Sequence, residues 1–321
     1  MRRRTPWFLH GMKRTRVQQC AQRRGYHERK MSEQSRGVYI IATTPFDEDG
    51  ELDLNSTDTL IDFYLEKGVS GITILGMMGK APKLTSDESL LFMRRVMTRV
   101  NGRVPVVVGI SHPAHRQVAM LAKSAMSLGA AGVMLAPVAN LKTEEQVVNY
   151  YLSVAALLGD DIPLCLQDFP QSIGVHCSVE TILRLVETLP QLVMLKHEDL
   201  PGLRKLSQVR RQSEARGLRR ISILAGNDGL FLPQEMRRGA DGAMTGFAYP
   251  EMLVKMCRLF DEGRDDEAED VFDCYLPLLR HEFQYGIGLT LRKETLRRRG
   301  AIRCASLAPG WIGRICRSLT R

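Results

Sequence analysis

The chain reads as an α/β protein of the (β/α)8 TIM-barrel class with a C-terminal helical extension. Eight short β-branched or apolar runs recur between residues 38 and 244, separated by longer stretches whose apolar residues fall three and four positions apart. Parallel strands joined by crossover helices produce that alternation. Eight regular repeats in about 230 residues fit a closed barrel better than an open doubly wound sheet. No GxGxxG follows the first run, so the dinucleotide-binding alternative lacks its phosphate turn.

The strand runs are residues 38–43, 71–75, 104–110, 132–135, 163–167, 192–196, 222–225 and 242–244. Helical spacing is clear in Leu60, Ile61, Tyr64 and Leu65 after the first run, and in Leu183, Leu185 and Val186 before the sixth. Asn55 with Ser56, Ser86 with Asp87, and Ser178 offer side chains that can cap helix starts. The expected division is a basic, unstructured extension over residues 1–36, the barrel over 37–263 and a helical region over 264–321. Met31 begins the stretch MSEQSRGVYIIATTPF, a sensible start for a folded domain.

A chain of 321 residues with 44% hydrophobic content can bury a substantial core, as one large domain or two ordinary ones. No apolar run approaches the roughly 18 residues of a membrane span, and the N-terminal segment has no stretch of signal-peptide length. It is Arg-rich and poor in acids, which is also the composition of an organellar transit peptide. The seven cysteines are scattered, without a CxxC pair, the pattern of reduced thiols in a cytoplasmic protein. The net charge of +9 sits at the two ends: residues 1–36 hold eleven Lys and Arg against Glu28 and Glu33, and the last thirty hold nine against Glu294. The body between them is acidic, so no continuous basic stripe is available for nucleic acid.

In a barrel of this class the chemistry belongs to the C-terminal ends of the strands. Those ends carry Thr44, the turn Gly76-Met77-Met78-Gly79, Ser111-His112, residues 137–140, Gln167-Asp168, Lys196-His197-Glu198, Gly226-Asn227-Asp228 and Thr245-Gly246. Only one exit is a lysine backed by a hydrophobic strand. An amine in apolar surroundings loses proton affinity, and a neutral amine attacks ketones. His112 and His115 have a spacing that metals can use, but no carboxylates accompany them, and His112 reads better as a polar contact for substrate. No metal or cofactor is expected.

These residues resemble a known family. TTPF after strand one, GxxG after strand two, the strand-six lysine, AGND after strand seven and GAMTG after strand eight are similar to the dihydrodipicolinate synthase and N-acetylneuraminate lyase family, in colinear order over roughly residues 37–300. The resemblance implies a class I, metal-free lyase that joins a barrel lysine to a 2-keto acid as a Schiff base, with Lys196 as that lysine. It also implies a homo-oligomer, dimer or tetramer. The chain departs from the synthase pattern at one relay. The hydroxyls expected in GxxG are Met77 and Met78, the acid after it is Lys80, the strand-five tyrosine is Gln167, and the tyrosines after strand four give way to Val138 and Ala139. A thioether cannot relay a proton.

LQDFPQSIGVHCS, LKHEDLPGLRKL and GAMTGFAYPE look more like the dehydratases of 2-keto-3-deoxy sugar acids in the same family, as does the stretch over residues 275–286. On that reading neutral Lys196 attacks the C2 ketone and the iminium makes a C3 proton removable. Glu198, two positions on, points to the same barrel side in an extended chain and is the expected proton-transfer group, with Asp168 as rival base. Gly76 and Gly79 let the Met77 and Met78 N–H groups approach a carboxylate. Gln167, Asn227, Thr44, His112, Thr245 and Gly246 complete the expected substrate contacts. Two alternatives stay open: a pyruvate-dependent aldolase, and a non-catalytic binding or regulatory barrel.

Overall fold

The computed structural model describes residues 30–79 and 81–307. Eight parallel strands close into a barrel in sequence order: β1 (Gly37–Ile41), β2 (Gly71–Ile74), β3 (Val106–Gly109), β4 (Gly132–Leu135), β5 (Leu164–Asp168), β6 (Leu192–His197), β7 (Ser222–Ala225) and β8 (Gly242–Ala243). The closing pair is Gly37 with Gly242 and Val38 with Ala243. All eight fall on the runs expected from sequence, with ends shifted by no more than a few residues, as is usual where pairing fades.

The helices are α1 (Leu54–Glu66), α2 (Ser86–Val100), α3 (His115–Ser127), α4 (Glu144–Leu158), the single turn α5 (Pro170–Ile173), α6 (Val179–Thr188), α7 (Leu203–Ala215), the short α8 (Leu232–Met236) and α9 (Pro250–Asp261). Helices α10 (Asp265–Glu282) and α11 (Gly288–Arg298) form the C-terminal extension. Two expected caps move by one or two positions. Asp53, not Asn55 or Ser56, caps α1 by accepting from Ser56 N–H, and Thr85, not Ser86, caps α2 in a reciprocal box with Glu88. Ser178 caps α6 as expected, accepting from Thr181 N–H.

Two apolar layers result. Outward strand residues such as Val38, Ile40, Ile72 and Val108 pack with Leu60, Phe92, Val118 and Leu183 of the helices. Inward residues Tyr39, Ile41, Val107, Met134, Cys165, Met194, Leu224 and Met244 fill the barrel itself. Met31 closes the floor, with its N–H donating to Ala131 O at 2.9 Å and its side chain inside that filling. Glu33 pairs with Arg219, and Ser222 Oγ donates to Ser35 O. Residues 31–35, assigned from sequence to an unstructured extension, are therefore part of the fold. Residues 1–29 lie outside the described residues.

The extension is tied back to the start of the barrel. Arg303 reaches Asp53 with Nη2 at 3.0 Å from Oδ1, and Thr59 Oγ1 donates to Ala301 O at 2.9 Å. Arg299 pairs with Glu251 and lies 4.4 Å from the Tyr249 ring centre. Among the described residues no helix is long and apolar enough to cross a membrane.

Candidate active site

Successive residues of a strand point to opposite faces, and this sorts the candidates. Gln167 pairs in register with Lys196, and Asp168 with His197. Met194 belongs to the barrel filling, so Lys196 and Glu198 follow it inward. Lys196 Nζ lies 2.8 Å from Glu198 Oε2, and Gln167 Nε2 donates to the same oxygen at 2.8 Å. All three side chains are buried. One carboxylate oxygen thus bridges an amine and an amide at the top of the filled interior.

Backbone holds that carboxylate in place. Glu198 N–H donates to Asp168 O at 2.9 Å, and Asn227 Nδ2 donates to Glu198 O at 3.1 Å. Gly226, the neighbouring inward position on the β7 exit, leaves the space that the Glu198 side chain occupies; a Cβ there would overlap Glu198 Cγ. Asn227 and Asp228 take left-handed backbone with φ of 50° and 57°, a conformation Asn and Asp tolerate better than most residues.

Asp168 requires a correction. It was expected beside substrate as a rival base, but the period of two that turns Gln167 inward turns Asp168 outward. Its Oδ2 accepts from Lys205 Nζ of α7 at 2.6 Å and lies 3.8 Å from His197 Nδ1. Lys205 also reaches Asp199 at 3.1 Å. Both neighbours, Lys205 and His197, belong to the shell behind the barrel wall. His112 is corrected as well: it is exposed, and its Nδ1 accepts from Ala114 N–H at 3.0 Å, fixing its own loop. His115 meets the Tyr150 ring edge-on. Among the described residues no group of three or more His, Cys, Asp or Glu is placed to hold a metal ion.

The β2 exit forms the tight turn expected of its glycines, with Gly79 N–H donating to Gly76 O at 3.0 Å. Thr44 Oγ1 donates to Gly79 O at 2.6 Å, tying the β1 and β2 exits together. Among the described residues nothing accepts from the Met77 or Met78 N–H. Met78 packs on the barrel filling, and Met77 Sδ lies 3.3 Å from Ser172 Oγ. Thr245 is buried, and its carbonyl accepts from Ile41 N–H. Lys80 lies outside the described residues.

One mouth residue escaped the sequence reading. Arg292 of α11 is fully buried; its Nη2 lies 2.7 Å from Asp228 Oδ2, its Nε donates to Glu282, and its Nη1 lies 3.6 Å from Met78 Sδ. The space beside Gly246 is filled by this guanidinium, which a Cβ at that position would strike. The surrounding carboxylates outweigh burial and hold its proton above the ordinary arginine range, even though burial alone works against the charge. The signal was present, since Arg292 falls four positions before the core residue Leu296 on α11. It was masked by the basic run of Lys293, Arg297, Arg298 and Arg299 around it.

Comparison with known proteins follows the same lines. The model of the dihydrodipicolinate synthetase family matches residues 34–309. An L-2-keto-3-deoxyarabonate dehydratase of Azospirillum brasilense is 31% identical over 271 residues, covering 83% of this chain and 85% of that protein. A 4-hydroxy-tetrahydrodipicolinate synthase of Persephonella marina is 33% identical over 253 residues, 77% of this chain and 83% of that one. Among solved structures, a dihydrodipicolinate synthase from Rhodopseudomonas palustris superposes with a TM-score of 0.86 at 41% identity, covering 91% of this chain and 97% of that one. A closed parallel barrel, a lysine at the mouth of its sixth strand and a family match over most of its length agree: the chain is a Schiff-base lyase and belongs to the dihydrodipicolinate synthetase family.

Proposed function

We propose that this lyase dehydrates a 2-keto-3-deoxy sugar acid, with Lys196 as the imine-forming amine and Glu198 as the proton-transfer group. The observation that carries the reading is the 2.8 Å contact between Lys196 Nζ and Glu198 Oε2, in a mouth where Met77, Met78 and Gln167 supply no hydroxyl. Proton transfer across that contact leaves a neutral amine and a carboxylic acid. The amine adds to the C2 ketone, and loss of water gives the iminium. Glu198, again a carboxylate beside the new C2–N bond, takes the C3 proton and the electrons of that C–H bond move into an enamine. The enamine expels the C4 hydroxyl, which leaves as water with the proton Glu198 returns. Hydrolysis frees Lys196 and a 2-keto acid one water poorer than the substrate.

Gln167 keeps Glu198 oriented through its 2.8 Å hydrogen bond, and the open Met77 and Met78 N–H groups receive the substrate carboxylate. The relative from Azospirillum brasilense bears the name of such a dehydratase, and the one from Persephonella marina that of a synthase. Borohydride reduction in the presence of pyruvate is expected to add mass at Lys196, and a 2-keto-3-deoxy sugar acid is expected to lose one water. No adduct with any 2-keto acid would remove Lys196 from its role. Release of pyruvate plus an aldehyde would replace the dehydratase with an aldolase.

A further inference from the structure

We propose that Arg292, delivered from the C-terminal helix α11, is a substrate-binding residue that receives the C1 carboxylate together with the Met77 and Met78 N–H groups. The inference rests on the Schiff-base reading of Lys196 and adds to it a cation from outside the barrel.

Three observations converge on Arg292. Its side chain is wholly buried yet points to the barrel mouth, into space left open at Gly246. Its donors are only partly used: Nε is satisfied by Glu282, Nη2 lies near Asp228 Oδ2 without the alignment of a hydrogen bond, and Nη1 has only the Met78 thioether. Thioether sulfur is a weak acceptor, and a buried guanidinium with five donors is costly to leave in that state. The third observation is the turn itself, where Met78 also offers an unpartnered backbone N–H. A planar anion that displaces the flexible Met78 side chain can take Nη1 and the turn N–H groups at once.

Asp228 and Glu282 act on this view as holders. They grip the Nε and Nη2 sides of the fork and leave the Nη1 edge turned toward Met78. Burial pushes the Glu282 carboxyl up, against the pull of Arg292. Lysine in place of Arg292 keeps the charge but loses the fork.

The test compares pyruvate with hydroxyacetone, which carries the same ketone and no carboxylate. Borohydride-trapped mass at Lys196 is followed against ketone concentration in the full-length protein, in Arg292→Lys and in Gly246→Ala, whose Cβ pushes the guanidinium from its seat. Both variants are expected to need at least tenfold more pyruvate for half-maximal trapping and unchanged hydroxyacetone; Gly246→Ala leaves Arg292, Asp228 and Glu282 themselves unaltered and carries the test if Arg292→Lys misfolds. A shift equal for both ketones, or none for either, overturns the role of Arg292 and leaves Lys196 in place. If the unaltered protein traps neither ketone, the Schiff-base reading falls and this inference with it.

Discussion

Glu198 Oε2 sits between Lys196 Nζ and Gln167 Nε2, so a single oxygen faces both the amine that would attack and the amide that keeps the carboxylate aligned. Glu198→Gln keeps the shape and removes the base. It is expected to slow borohydride trapping of pyruvate at Lys196, because Glu198 also takes the proton of that amine, and to lower turnover further, by about 10²–10⁴-fold, the usual worth of general acid–base catalysis. Equal loss of trapping and turnover would confine Glu198 to imine formation and remove it from the C3 proton step. At this scale the sequence was readable where strand alternation decides: Lys196 and Glu198 share a face because they are two apart. The same rule, applied one strand over, forbids Gln167 and Asp168 from sharing the mouth. Arg292 was not readable, because a lone buried arginine within a basic helix differs from its neighbours only by what packs on it.

Among the elements, the exits of β6 and β7 depend on each other. Gly226 N–H donates to His197 O at 2.9 Å, and the missing side chain of Gly226 makes room for Glu198. Gly226→Ala is expected to lower turnover by about a hundredfold, the cost of misplacing a reacting group by about 1 Å. Its stability loss should be about 1–3 kcal/mol, typical of overpacking. Turnover assays paired with chemical denaturation check both, and an unchanged turnover would show that Glu198 reaches its position by another path. The strands themselves were legible as runs of β-branched and apolar residues, because each is buried on both faces. The caps of α1 and α2 were less so. Asp53, Asn55, Ser56, Thr85 and Ser86 are all capping types, and only backbone geometry selects Asp53 and Thr85.

Across the whole molecule, the shell behind β5 and β6 stores titratable charge. Burial pushes the Glu235 carboxyl up to about 7, an effect that nearby His197 offsets and Glu198 reinforces. Burial works against a charge on His197, yet Asp168, with Glu235 and the Gly202 carbonyl, holds its proton above the ordinary histidine range. Both groups keep protons in the folded state that the unfolded chain releases. Their contribution is therefore complete below the unfolded Glu value of 4.5 and is lost as pH rises through about 7, with His197 extending the loss upward. Each unit of such a shift is worth about 1.4 kcal/mol, so Glu235 contributes roughly 3 kcal/mol across the window. Denaturation midpoints between pH 5 and 8 should fall less steeply in Glu235→Gln than in the unaltered protein, and parallel profiles would refute the assignment. Arg292 has a separate consequence, in the order of synthesis. It meets Met78 across 214 positions of chain, and Arg303 meets Asp53 across 250. A ribosome releases the strands of the barrel, with Lys196 among them, well before either arginine emerges. A nascent chain can thus hold its amine without the cation proposed to receive the acid, and a chain stopped between β8 and α11 would carry the amine but not that cation.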